Sequence, residues 1–85
     1  MLIKINLLGG IKKTVGQSNL QINEEFASIN GIISYLESNY YSNNKINERD
    51  IMVAINGIES SVLGGYDAKV SSGDTVTILS IVHGG

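Results

Sequence analysis

The end of the chain limits the possible folds most, because an apolar strand there runs directly into a pair of glycines. The residues from Val76 to Val82 are almost continuously apolar and rich in β-branched types, which predicts a well-buried strand. The turn-forming sequence Ser72-Gly73-Asp74 precedes it. The segment His83-Gly84-Gly85 would extend about 10 Å beyond the strand, and its glycines keep it narrow enough to enter a tight channel. The alternative interpretation is an ordinary flexible end without a role.

The length and composition predict one small globular domain. A chain of 85 residues buries only about 60–65 % of its unfolded surface, which leaves room for one core and no large internal pocket. Hydrophobic residues make up 42 % of the chain and charged residues 16 %, as in globular proteins. The first residues, Met1 to Ile5, alternate like a strand and unlike a signal peptide, and no apolar run is long enough to span a membrane. We therefore expect a cytoplasmic protein with no membrane partner.

The residue types present exclude most kinds of catalytic site. The chain has no cysteine, which removes disulfides, thiolate nucleophiles and sulfur ligands, and its single histidine, His83, cannot hold a metal alone. The net charge is −2 and the lysines are scattered, which argues against direct nucleic-acid binding. Nucleotide-binding and nucleophile-elbow glycine motifs are missing as well. We therefore expect no enzyme activity, no metal site and no bound cofactor; in any chemistry the chain would be a substrate.

The first quarter of the chain predicts two antiparallel strands. Residues 2–8 alternate, with Ile3, Ile5 and Leu7 on one face, which is typical of a half-buried strand. Gly9-Gly10 then favours a turn over nucleotide binding, because no third glycine and no helix are predicted to follow. Lys12-Lys13 is interpreted as a solvated charged turn. Residues 19–22 alternate again and predict a second strand, paired with the first as a hairpin.

One amphipathic helix is predicted next. Ser28 is a good N-cap, and Glu24-Glu25 place negative charge near the positive end of the helix dipole. The residues with helical spacing form one apolar stripe: Ile29, Ile32, Ile33, Leu36 and Tyr40. Such a stripe is typical of a core-facing helix rather than of a binding surface. Residues 41–50 predict a polar loop.

The second half of the chain predicts the remaining strands. Ile51 to Ile55 is the third strand, and Asn56-Gly57 predicts a hairpin with Ile58-Glu59-Ser60 as its returning arm. Residues 62–70 predict a turn and a short strand. One main helix on one face of a mixed sheet of four to five strands is an α+β arrangement. If the first and last strands are both central, they lie side by side and parallel. This is the β-grasp plan, with a domain over residues 1–82 and an exposed tail over residues 83–85.

The face of the sheet opposite the helix is predicted to carry an apolar patch. Alternation directs Val76 and Ile78 toward the core and their neighbours outward. The outward apolar residues of the third and last strands are Met52, Ala54, Leu79 and Ile81. If these strands are neighbours, the four residues form a contiguous patch beside the tail, and such a patch indicates an interface. The alternative is a last strand buried on both faces.

The motifs of this half resemble those of ubiquitin-like sulfur carriers. The sequence Val53-Ala54-Ile55-Asn56-Gly57, followed by Gly73-Asp74-Thr75-Val76, is similar to the carriers of thiamine and molybdopterin synthesis. From Ile51 to Gly85 the pattern is similar to the ubiquitin-related modifier family, above all in the ending His83-Gly84-Gly85. The first half agrees with that family only in the order of its elements and in the glycine pair after the first strand.

The resemblance implies a protein that serves as a substrate of other enzymes, which modify its C-terminus. In that family an E1-like activating enzyme uses ATP to adenylate the terminal glycine, here Gly85, and a sulfur donor converts it to a thiocarboxylate. A tRNA-thiolating enzyme then transfers the sulfur to the wobble uridine, and the tail can also be joined to lysines of target proteins; the sequence does not separate these two uses. Gly84 would keep the tail narrow enough to reach into a channel, and His83 would be either a contact residue or a solvated one, without a catalytic role.

Two further expectations follow from the resemblance. The patch formed by Met52, Ala54, Leu79 and Ile81 would bind the activating enzyme. The alternative function is the small subunit of molybdopterin synthase or of a related sulfur-transfer complex, with the tail inserted permanently into a partner's active site. The residue His83 and the Leu63-Gly64 region favour the carrier and modifier functions over this alternative.

Overall fold

A five-stranded mixed sheet with one long helix packed on one face forms the fold. The computed structural model describes residues 1–81. The strands are β1 (Ile3–Gly9), β2 (Asn19–Ile22), β3 (Ile51–Ile55), β4 (Ile58–Glu59) and β5 (Thr75–Ser80). The helices are α1 (Gly10–Val15) and α2 (Ile29–Tyr40), and single 3₁₀ turns occur at Glu48–Asp50, Ser60–Val62 and Gly65–Asp67. None of the helices in the described range is long and apolar enough to cross a membrane.

The order of the strands confirms the predicted β-grasp plan. The sheet runs β2-β1-β5-β3-β4, so the first and last strands lie side by side at its centre. Strands β1 and β5 are parallel, with Ile5 opposite Val76, whereas β3 runs antiparallel to β5, with Val53 opposite Ile78. The outer pairs β1–β2 and β3–β4 are also antiparallel. Both central strands therefore have a neighbour on each side, and the last strand is part of the core of the sheet.

The core lies between the sheet and α2, where the predicted stripe packs. Ile29, Ile32 and Leu36 are completely buried, while Tyr40 at the end of the stripe is only half-buried. One buried residue of α2 was not predicted: Glu37 is only 9 % exposed, and its Oε2 accepts a 2.7 Å hydrogen bond from the backbone N–H of Ile46. This carboxylate ties the polar loop of residues 41–50 to the helix, which satisfies a backbone donor.

One prediction about the helices was wrong, and one was confirmed for the position of the cap. The interpretation of Lys12-Lys13 as a turn was wrong, because both lysines belong to α1, which begins immediately after Gly9. The buried side chains Ile11 and Val15, one helical turn apart, hold this short helix against the sheet. At the start of α2, Ser28 occupies the N-cap position as predicted, but its side chain makes no capping hydrogen bond, and the first turn contains no acidic residue.

The region between β4 and β5 also differs from its prediction. The returning arm of the hairpin is two residues long, because Ser60 already belongs to a 3₁₀ turn and its side chain is buried. No strand occurs over residues 62–70 of the structure, where a second 3₁₀ turn is found instead. The cause is local: the left-handed backbone of Gly64 and Gly65, at φ +111° and +71°, is incompatible with an extended chain.

Candidate functional site

The outward face of the sheet carries a row of exposed apolar side chains on its three central strands. Leu79 on β5 lies opposite Leu8 on β1 and opposite Met52 on β3. The three side chains are 38 %, 47 % and 45 % exposed, respectively. Val76 and Ile78 of the same β5 strand are completely buried. The facing predicted for the last strand is therefore confirmed, and β5 is not buried on both faces.

The apolar patch is defined here as Leu8, Met52, Ala54, Leu79 and Ile81, and all of these residues except Ile81 line a shallow depression. Ala54 is half-buried next to Met52, and Ile81 is 40 % exposed just beyond β5. The depression has a volume of about 240 Å³. Its lining includes the apolar side chains of Leu8, Met52, Ala54 and Leu79, with Thr77 and Glu59 at the polar side. The depression is large enough to accept an apolar side chain of a partner.

Sequence reasoning missed Leu8, although the signal was present. In β1 the outward residues are Lys4, Asn6 and Leu8, and only the last of these is apolar. The predicted pairing of the first and last strands would have placed the outward residues of β1, including Leu8, next to those of β5. The patch therefore spans three strands rather than the two that were predicted.

The apolar patch lies at one end of the outward face, and polar residues cover the other end. The row containing Lys4, Gln21 and Thr75 is polar or charged, and in the next row the patch residue Ala54 is the one apolar position beside Asn19, Asn6, Thr77 and Glu59. The apolar row follows at the carboxyl ends of β1 and β5. This is the end from which the chain leaves β5 toward the predicted tail. The tail residues His83, Gly84 and Gly85 lie outside the described residues, as does Val82 at the end of the predicted domain.

The last described residues are held from both sides. On one side, Gly9 of β1 pairs with Ser80, and a Cβ atom added to Gly9 would overlap the Ser80 carbonyl oxygen. On the other side, the backbone N–H of Ile81 donates a 2.7 Å hydrogen bond to the carbonyl oxygen of Asp50. The chain therefore leaves the sheet from a fixed point next to the patch.

The start of β5 is fixed by a side-chain network that joins it to the β3–β4 turn. Asn56, at φ +50°, accepts a 2.9 Å hydrogen bond from the backbone N–H of Thr75 through its Oδ1. Its Nδ2 donates to Asp74 Oδ1 at 3.0 Å, and Asp74 Oδ2 accepts from the backbone N–H of Ser71 at 2.7 Å. The sequence motif predicted only a hairpin turn at Asn56. Its side chain also positions the strand that carries the patch.

The titratable groups with altered acidity lie away from the patch. The Tyr66 hydroxyl donates a 3.1 Å hydrogen bond to the carbonyl oxygen of Glu48, and burial, followed by the charge of Glu48, raises the pKa of this tyrosine. Burial also raises the pKa of Tyr35, with smaller contributions from Tyr40 and Glu24. Within residues 1–81 no group of three or more His, Cys, Asp or Glu side chains could hold a metal ion.

Comparisons with known proteins agree with this fold and identify the family. Urm1 from Trypanosoma brucei is 27 % identical, with a TM-score of 0.74 over 99 % of this chain and 95 % of that one. A chain of the BexX/CysO complex from Amycolatopsis orientalis is also 27 % identical, with a TM-score of 0.73 over 98 % and 99 %. Small archaeal modifier protein 1 from Methanosarcina acetivorans shares the fold at 21 % identity, with a TM-score of 0.77 over 99 % and 96 %.

A search of curated proteins finds no match. Residues 5–85, by contrast, match the ThiS family. This match covers nearly the whole chain and includes the apolar patch and the Gly-Gly ending. The chain therefore belongs to the ThiS family, among the ubiquitin-like sulfur carriers and modifiers, which are small carrier proteins rather than enzymes.

Proposed function

We propose that this protein is a sulfur carrier whose terminal residue Gly85 is adenylated by an E1-like activating enzyme. The carboxylate attacks the α-phosphorus of ATP and releases pyrophosphate, which gives an acyl-adenylate. A sulfide equivalent from a sulfur donor then attacks the acyl carbon and displaces AMP, which leaves a thiocarboxylate. The observation that carries the proposal is the exposed apolar patch at the end of the sheet from which the chain leaves β5.

Activation is needed because a carboxylate is a poor electrophile. An α-carboxyl group ordinarily has a pKa of about 3.3–3.7, so it is ionised near neutral pH. Adenylation replaces the charged oxygen with a good leaving group. The chain has no cysteine, so the sulfur and every catalytic nucleophile come from partner proteins. ATP is accordingly proposed as a substrate that the activating enzyme consumes, with no cofactor bound to this chain.

The apolar patch is proposed as the docking surface for the activating enzyme. Three of its residues, Leu8, Met52 and Leu79, form one continuous row that no other part of residues 1–81 covers. Contiguous apolar surface of this kind is typical of protein interfaces, whose binding energy comes mainly from a few well-packed anchors. Docking here would leave the Gly85 carboxyl within a few residues of the contact. Gly84, without a side chain, then lets the tail enter a narrow active-site channel of the activating enzyme, and His83 is the first side chain that this channel contacts.

The proposed fate of the sulfur is transfer to tRNA. A tRNA-thiolating enzyme would use the thiocarboxylate to modify wobble uridine, which follows the family resemblance of residues 51–85. Conjugation of the tail to lysines of target proteins is a second proposed use. Activity as a small subunit of molybdopterin synthase shares the activation step and differs in the acceptor of the sulfur.

The test is adenylation of the full-length chain by its cognate activating enzyme with ATP, followed by pyrophosphate release and intact mass. We expect adenylate formation, and a mass increase equal to replacement of one oxygen by sulfur when the sulfur donor is added. A chain lacking Gly85 should keep its thermal unfolding temperature and lose both signals. Undiminished adenylation of the shortened chain would refute the proposal.

Intact mass of the protein isolated from its native host separates the proposed uses. A thiocarboxylate indicates a carrier, and a lysine-linked adduct indicates a modifier. Stable isolation with a larger partner that thiolates a molybdopterin precursor would instead favour the synthase subunit.

A further inference from the structure

We propose that Gly9 and the carbonyl oxygen of Asp50 form a clamp on Ser80 and Ile81 that aims the tail. The clamp sets the rate at which Gly85 is adenylated and not the strength with which the activating enzyme docks. This inference rests on the proposed function. Gly9 and Asp50 are thus positioning residues, since neither belongs to the apolar patch.

The first half of the clamp is a backbone contact that only glycine permits. Gly9 has φ +77° and ψ −145°, a conformation that side-chain-bearing residues rarely adopt. A Cβ at this position would overlap the Ser80 carbonyl oxygen and lie 3.4 Å from the Ser80 carbonyl carbon. The same Cβ would lie 3.6 Å from Cδ1 of Leu79. The absence of a side chain at Gly9 therefore lets β1 approach the last residue of β5.

The second half of the clamp is a hydrogen bond from the opposite side. The N–H of Ile81 donates to the Asp50 carbonyl oxygen at 2.7 Å. Asp50 ends a 3₁₀ turn in which its own N–H donates to the Asn47 carbonyl oxygen at 2.9 Å. The Asn47 side chain also accepts from the N–H of Arg49 at 3.0 Å. The acceptor for Ile81 is thus held in a closed turn and cannot easily follow a displaced strand.

Positioning at this point matters because docking fixes the body of the protein but not the direction of its tail. Gly85 lies four positions beyond Ile81, so the tail can reach at most about 13–14 Å from it. Without the clamp, residues 80 and 81 lose their fixed position relative to the docked body, and the point from which the tail starts is displaced. A displacement of about 1 Å from a reactive geometry can reduce a rate by roughly 100-fold. Losing the clamp should therefore slow adenylation without weakening docking.

The first test compares Gly9→Ala with Gly16→Ala in the full-length chain. Both glycines have positive φ, +77° and +85°, but a Cβ at Gly16 meets nothing within 4 Å. The control thus tests a positive-φ substitution without the collision; Gly16 lies in the left-handed αL region at ψ +6°, whereas Gly9 lies at ψ −145°, in a region that essentially only glycine adopts. Docking affinity is measured without ATP, and the turnover number is measured by pyrophosphate release at a temperature where both variants are folded. We expect Gly9→Ala to lose about 10- to 100-fold in turnover, with docking affinity within about twofold of wild type, and Gly16→Ala to match wild type in both.

A second pair keeps the inference testable if Gly9→Ala does not fold. Ile81→Ala and Ile81→Pro both replace the isoleucine side chain of the patch with a smaller apolar one, but only proline also removes the N–H that bonds to Asp50. We expect equal docking affinity for the two variants and about tenfold lower turnover for Ile81→Pro.

The outcomes distinguish this inference from the function on which it rests. The clamp proposal would be overturned by equal turnover of Ile81→Pro and Ile81→Ala, or by wild-type turnover of Gly9→Ala. In either case adenylation of the wild-type chain would still support the carrier function. The clamp proposal would also be overturned if weaker docking of Gly9→Ala accounted for its entire loss of adenylation turnover. No adenylation of the wild-type chain would overturn the proposed function, and the clamp with it.

Discussion

Replacing Asn56 by alanine should destabilise the domain more than an exposed turn residue normally does. The substitution removes the hydrogen bonds to Thr75 N–H and to Asp74 Oδ1, each worth about 0.5–1.5 kcal/mol. It also places a Cβ-bearing residue without a compensating side chain at φ +50°, which costs about 1 kcal/mol more. The expected loss is about 2–4 kcal/mol of a total stability of about 5–15 kcal/mol. The unfolding temperature should fall by roughly 10–25 °C.

Two further single variants and one double variant separate the parts of this effect. Asn56→Gly loses the same hydrogen bonds but tolerates positive φ, so it should cost about 1 kcal/mol less than Asn56→Ala. Asp74→Ala loses its bonds to Asn56 and to the N–H of Ser71. Because Asn56 and Asp74 share one bond, the double variant should be less destabilised than the sum of the single variants, by about 0.5–1.5 kcal/mol.

Urea unfolding of the four variants and the wild-type protein, followed by circular dichroism, measures these differences. Full additivity of Asn56→Ala and Asp74→Ala would show that the β3–β4 turn and the start of β5 are not joined through these side chains. A larger loss for Asn56→Gly than for Asn56→Ala would refute the strain assigned to this position.

The remaining predictions concern the apolar patch and the response to pH. Leu79→Asp should keep the domain folded and weaken binding to the activating enzyme by about 1–4 kcal/mol. Ile78→Asp should instead unfold the domain, because Ile78 is completely buried. Thermal unfolding and binding are measured on both variants; if Leu79→Asp unfolds the domain and Ile78→Asp does not, the assignment of the buried and exposed faces of β5 is inverted. Burial, and next Glu48, raise the pKa of Tyr66, so the stabilisation from the neutral phenol is complete below its unfolded pKa of about 10 and is lost as pH rises through the folded pKa. Tyr66→Phe should therefore reduce the loss of stability above about pH 10, as measured by urea unfolding at several pH values; an unchanged alkaline slope would contradict this.

Patterns of alternating apolar residues were sufficient to predict most of the sheet. The alternation that buries Ile5 and Ile78 is local, and the sequence analysis placed the first and last strands side by side on the condition that both are central, as they are. The sequence also predicted which side chains of β5 face outward. The β-grasp order followed from these two facts, and the structure confirms it.

Features that depend on distant contacts were not predictable in the same way. Helix α1 has only Ile11 and Val15 as buried anchors, so its six residues show no extended stripe, and its exposed lysines resemble a turn. The bond between Asn56 and Asp74 joins residues 18 positions apart, and no local pattern indicates such a pair. The roles proposed for Gly85 and for docking at the patch stay predictions, since they depend on other molecules.

The parallel pairing of β1 with β5 also has a mechanical consequence. The chain enters β1 at one end of this ladder and leaves β5 at the opposite end, with paired positions from Lys4–Thr75 to Gly9–Ser80. A force that pulls the two ends of the domain apart therefore loads all the hydrogen bonds between these strands together, in shear. These hydrogen bonds must break nearly simultaneously and cannot open one after another. A carrier held by its tail on an enzyme should accordingly resist being pulled open from its first strand.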